Sequence, residues 1–176
     1  MANVFHTWIA ALTRVVRTVS TTANVVGTLV VLGLVVIVNY DVVARGLFNQ
    51  PFRGAVEVVQ FSMVLIVFLQ LPDVVRVDRL TRSDGLLFVI GDKYPRVAVA
   101  MRRAINTGSA FIMALIAIAI FPEFTDMWET KDFFGIPGVF TAPWWPIKLT
   151  ILCSATLCAL IFALKVLSRD GSDKSA

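Results

Sequence analysis

Histidine occurs once in the 176 residues, at His6, and cysteine only twice. A membrane haem takes its axial ligands, usually histidines, from within the bilayer, and this lone histidine lies outside the long apolar runs. Nucleophile–base catalysis meets the same obstacle, since no histidine, cysteine and carboxylate converge at a readable site. Cys153 and Cys158 share one apolar run, on different helix faces, with no CxxC spacing and no ligand-bearing neighbours, and read as apolar filling. Charge is also scarce: 16% of residues carry it, against about 25% in a soluble domain. The sequence has no phosphate-cradling glycine loop, internal repeat or low-complexity segment. These absences argue against an enzyme, a metal site or a bound cofactor, and leave a haem-bearing redox anchor as a distant reading.

What is abundant is apolar surface. Hydrophobic residues make up 57% of the chain and the mean hydropathy is +0.80, so a bilayer is the natural solvent. The net charge of +4 does not mark a nucleic-acid binder, because the basic residues lie between apolar runs rather than clustered on a soluble face.

The expected architecture is an all-α membrane protein, a single membrane domain over residues 1–176 with four transmembrane helices plus interfacial amphipathic helices. Residues 4–20 place Val4, Phe5, Trp8, Ile9, Leu12, Val15, Val16 and Val19 on one face, with Arg14 and Arg17 elsewhere. That periodicity predicts a helix lying in the interface, and fits a secretory signal poorly because the apolar residues are not continuous. Spans follow over 21–46, 54–72, 95–122 and 146–167. The first rests on an uncharged run from Thr18 to Tyr40, about 35 Å as a helix, enough for roughly 30 Å of hydrocarbon. The connection over 73–94 is too long for a turn and contains Gly85 to Ile90, read as a short helix lying flat on the membrane. Residues 123–145 form the other long connection, and 168–176 a polar tail.

Twelve of the sixteen Lys and Arg residues fall in the N-terminal segment, the 73–103 region and the tail, leaving Arg45, Arg53, Lys131 and Lys148 opposite. Positive charge stays inside, so both termini are expected to be cytoplasmic. The stretch Asn39–Glu57 then faces outward, as does the aromatic connection with Trp128, Phe133, Phe134, Phe140, Trp144 and Trp145. These rings suit either an interfacial belt or a surface that docks an external protein. In Asn39–Glu57, Arg45 can pair with Asp41, in the favourable i, i+4 order, or with Glu57 across a polar hinge. Alternatively these charges simply mark the membrane edge. Intramembrane ionisable residues are functional candidates by default. No span interior carries a carboxylate, Glu57 near one end excepted, so the chain reads as an accessory subunit rather than a complete carrier. The competing function is a self-sufficient small carrier or exporter with Glu57 as coupling residue.

Arg45-Gly46-Leu47-Phe48-Asn49-Gln50-Pro51, followed by Gly54 and Glu57, resembles the small membrane subunit, DctQ-like, of tripartite ATP-independent periplasmic (TRAP) transporters. Arg82 and Asp84 match a second motif of that family, with Leu80 where many relatives carry histidine. Thr141 to Lys148, including Pro143, Trp145, Pro146 and Lys148, resembles the entry to the family's fourth span. The resemblance covers roughly residues 20–165. It implies a scaffold in a bacterial inner membrane, paired with a large permease that holds the substrate and sodium sites. It further implies a periplasmic binding protein that delivers an organic acid, often a carboxylate. Membrane lipid is the remaining partner, and no cofactor is implied for this chain.

Overall fold

The computed structural model describes residues 2–78, 95–136 and 140–167. Helix α1 spans Ala2–Phe48, α2 Ala55–Arg76, α3 Pro95–Thr130 and α4 Trp145–Leu167. Between α3 and α4 lies an antiparallel hairpin of β1 (Phe133–Ile136) and β2 (Phe140–Pro143), with Phe134 paired to Ala142 and Gly135 to Thr141. All four helices contain a stretch long and apolar enough to cross a membrane. The short flat helix expected over 85–90, and Arg82 and Asp84, lie outside the described residues.

Several boundaries differ from those read in the sequence, each for a physical reason. No break separates residues 4–20 from the first span: α1 is one helix of 47 residues, about 70 Å long at 1.5 Å per residue. Its Val16 and Ser20 are buried among the other helices rather than lying on a separate surface helix. The helix also continues through Asn39–Phe48, so the hinge shrinks to residues 49–54. Pro122 does not end α3, which runs eight residues further to Thr130. Membrane helices tolerate an internal proline better than soluble ones do, and the chain past it stays helical, with the Thr125 hydroxyl donating to the Pro122 carbonyl at 2.7 Å. The two β-strands were not anticipated, because Phe133–Pro143 is short and carries no clear alternation of apolar and polar residues.

The helices form a row in the order α1, α2, α4, α3. Helix α4 owes its inner position to its pattern: Ile147, Ser154, Ala155, Cys158, Ile161 and Phe162 are all buried, a stripe at heptad-like spacing. The tightest core gathers Val16, Val75, Cys158, Ile161 and Phe162, at the end of the row opposite the 49–54 hinge. Hinge and hairpin share the other end, where Phe61 of α2 meets Phe134 of β1 at 6.4 Å between ring centroids.

Lipid tails are as apolar as leucine, so helices in a bilayer associate through close backbone approach and polar ties rather than hydrophobic exclusion. Gly27 supplies the close approach between α1 and α2. A Cβ there would sit 2.9 Å from Gln70 Cγ and 3.3 Å from Leu69 Cβ, whereas one at Gly33 would meet nothing within 4 Å. Gly27→Leu is therefore expected to cost about 1–3 kcal/mol through overpacking, and Gly33→Leu to be neutral. Unfolding midpoints of the two variants in one detergent check this; equal midpoints would refute it.

Candidate functional site

Two polar clusters hold the row, one at each end. The first is built around Asp41, in the second-last turn of α1. Its Oδ2 accepts from the Arg45 guanidinium at 2.9 Å, and its Oδ1 accepts from the Phe52 backbone N–H at 2.8 Å. One carboxylate thus ties the end of its own helix to the start of the next. The local sequence explains the turn between them. Asn49 takes the left-handed conformation at φ 52, a helix-ending state that asparagine tolerates. The Gln50 N–H then turns back to the Ala44 carbonyl at 3.2 Å, and Pro51 prevents the helix from resuming. Gly54, buried with φ 95 and ψ 5, opens α2 in a conformation that other residues strongly disfavour. The Phe52 ring packs edge-on to Tyr40 at 6.5 Å.

Of the two pairings open in the sequence, the structure makes Arg45–Asp41 and leaves Glu57 out. Glu57 is half-buried in the first turn of α2, where a carboxylate is favoured by the helix dipole. Among the described residues it forms no ion pair.

The second cluster centres on Asp73, which sequence reasoning did not single out. Its Oδ2 accepts from Asn24 Nδ2 of α1 at 2.9 Å. Its Oδ1 accepts from Arg76 Nε and Nη2 at 3.0 and 2.6 Å. Beside it, Lys165 of α4 donates to the Val75 carbonyl and to Asp78 Oδ1, both at 2.7 Å. The carbonyls in the last turn of α2 lack helical partners, and Lys165 satisfies one of them from the next helix. Three helices are joined within one turn of each other. The available signals were the Asp73-x-x-Arg76 spacing and an asparagine, Asn24, inside an uncharged run.

The fourth-span motif gathers at the hairpin. Lys148 pairs with Glu123, joining α4 to α3. The Trp144 N–H donates to the Asp132 carbonyl at 3.1 Å, closing the base of the hairpin next to Pro143. The Trp144 carbonyl accepts from Ile147 and Lys148 as α4 begins, and Pro146 occupies the first turn, where its missing N–H costs nothing. Trp145 stands edge-on to Trp128 at 5.5 Å, and Phe134 to Trp144 at 5.0 Å. Phe48 ends α1 and is exposed. No group of three metal-ligating side chains occurs among the described residues.

Asn49, Pro51, Gly54, Pro146 and Lys148 thus sit at helix ends and helix entries, where they set how one helix passes to the next. Residues 34–170 match the sequence model of one family, described as tripartite ATP-independent periplasmic transporters, DctQ component. Comparison with curated proteins and with solved structures finds no match.

Magnitudes separate the two bonds of Asp41. The Arg45 side chain is 63% exposed against 12% for Asp41, so a screened i, i+4 pair contributes about 0.3–0.5 kcal/mol. A charge-assisted bond to a backbone amide contributes about 1.5–3 kcal/mol. Asp41→Ala is expected to destabilise by the larger amount and Arg45→Ala by the smaller, with Asp41→Asn between them because an amide oxygen still accepts from Phe52. Thermal unfolding in detergent ranks the three; equal losses for the two alanine variants would assign the hinge to the ion pair instead.

Proposed function

The chain belongs to the DctQ component family of tripartite ATP-independent periplasmic transporters, and we propose that it acts there as a scaffold for the permease that moves the substrate. It is a multi-pass membrane protein and the small permease subunit of such a transporter; the family is one of transporter components, not of enzymes. In this reading the large permease subunit carries the sodium and substrate sites in the bacterial inner membrane. A periplasmic binding protein delivers an organic acid, a carboxylate, to the assembly.

The observation that carries the scaffold role is how the carboxylates at the two ends of α1 and α2 are used. Asp41 and Asp73 each accept from two different residues within the chain, so their charge is committed to holding helices. A coupling carboxylate must instead exchange partners during transport. The count of Lys and Arg supports termini in the cytoplasm and a periplasmic hairpin. Seen this way, the hinge and hairpin lie on the side where the binding protein arrives.

Glu57 favours one other reading. It is half-buried and forms no ion pair among the described residues, the state expected of a coupling group in a small carrier. The two readings separate in reconstitution. The scaffold role predicts that the chain co-purifies with a large multispan protein and that liposomes holding this chain alone take up no organic acid above background. Uptake by the chain alone, abolished by Glu57→Gln without loss of the folded protein, would establish the carrier instead.

A further inference from the structure

At the hairpin end, Trp128 stands between two grooves. One, of about 380 Å³, is lined by Met127, Trp128, Lys131, Phe133, Pro143 and Trp145. The other, of about 320 Å³, is lined by Phe124, Thr125, Trp128 and Glu129. Both volumes fall in the lower part of the range of ligand sites, about 300–1,000 Å³. We propose that the pair forms a binding site for one phospholipid of the ethanolamine class, with an acyl chain along each face of Trp128. Its phosphate meets Lys131 and its ammonium meets Glu129.

Depth, shape and charge support this occupant together. Tryptophan favours the level of the headgroups, and Trp128 and Phe133 are 59% and 65% exposed there, so water is a poor cover for the grooves. The edge-on contact of Trp128 with Trp145 at 5.5 Å fixes the wall of the larger groove. Opposite charges line the two grooves that share Trp128, the cation Lys131 in one and the carboxylate Glu129 in the other. Neither belongs to an ion pair among the described residues, whereas nearby Lys148 and Glu123 neutralise each other. A zwitterion that carries both phosphate and ammonium complements this arrangement. An anionic lipid would leave Glu129 unmatched, and a choline headgroup offers that carboxylate no N–H donor. Lys131 also ends α3 in the left-handed conformation at φ 53, with its N–H donated to the Met127 carbonyl at 3.1 Å. Glycine or asparagine would fill that position more readily. A lysine there adds a basic side chain to the lining of the larger groove.

Native mass spectrometry of the full chain tests the site. The chain is taken into detergent from bilayers of phosphatidylethanolamine, phosphatidylcholine or phosphatidylglycerol. One phosphatidylethanolamine should be retained per chain, at least fivefold over either of the others. Lys131→Glu and Trp128→Ala should each lower that retention at least fivefold, and Val36→Ala, on the exposed face of α1, should not. Equal retention of the three lipids, a preference for phosphatidylglycerol, or no effect of the two groove variants would overturn the proposal. A photo-crosslinking p-benzoylphenylalanine at position 128, used in membranes that hold the full assembly, gives an independent reading. An adduct of phospholipid mass supports the site; an adduct with another protein overturns it by assigning the grooves to a subunit interface.

Discussion

A carboxylate at the edge of a bilayer must be held by donors, because neither lipid nor a distant water layer will solvate it cheaply. The arrangement of the helices follows from how two carboxylates meet that demand. Asp41 is held by Arg45 and the Phe52 amide, and so fixes where α1 stops and α2 starts. Asp73 is held by Asn24 and Arg76, and so fixes the other end of the same two helices against each other. Between these ends α1 and α2 need only slide into contact, and Gly27 lets them approach closely. Lys165 carries the tie across to α4 through the Val75 carbonyl, and Lys148 carries it on to α3 through Glu123. Each neighbouring pair in the row thus has at least one polar tie near a helix end.

Much of the helical architecture was legible because it rests on composition and run length. Uncharged runs must be spans, and Pro95, Asn49 with Pro51, and Pro146 carry start and stop chemistry that works locally. The limits of legibility have equally local causes. Pro122 read as an end, yet the helix passes through it, as membrane helices allow an internal proline. The hairpin was missed because Phe133–Pro143 is dominated by aromatic and turn residues, whose pairing depends on the helices that bracket it. The choice of Arg45 between Asp41 and Glu57 could not be read from spacing. Both were within reach, and the outcome depends on α1 continuing as helix to Phe48, which keeps Arg45 one turn from Asp41. Asp73 looked like a loop residue; it became a centre because α2 extends to Arg76.

The row is uneven in its burial, and this bears on what surrounds it. Helix α4 lies inside and presents a buried stripe, while α1 and α3 are at the edges and expose Leu29, Leu32, Val36, Phe111, Ile112 and Ile118. An edge helix of a four-helix row in water would be poorly placed, but in lipid those side chains are already in a solvent of their own polarity. The protein therefore has no need to close into a bundle, and its outer faces remain open to lipid or to other helices.

Helix length sharpens the same point. About 30 Å of hydrocarbon needs some 20 residues, and α2 and α4, with 22 and 23, meet that closely. Helix α1 with 47 residues and α3 with 36 exceed it. They must tilt strongly or leave the hydrocarbon, and the polar groups mark where. On α1, Asn24 and Asp41 are seventeen residues apart, about 26 Å at 1.5 Å per residue, and both are tied to α2 at its two ends. Residues before Asn24 thus extend past the level where Asp73 is satisfied, although Val16 and Ser20 still pack against the row. On α3 the excess lies at both ends: Pro95–Arg103 carries Arg96, Arg102 and Arg103, and beyond Pro122 Glu123 meets Lys148 and the aromatic side chains begin. The two long helices therefore overshoot the short ones at both levels, α1 mainly at its beginning and α3 at both of its ends. That geometry gives the small subunit reach on both sides of the membrane while its two short helices set the thickness.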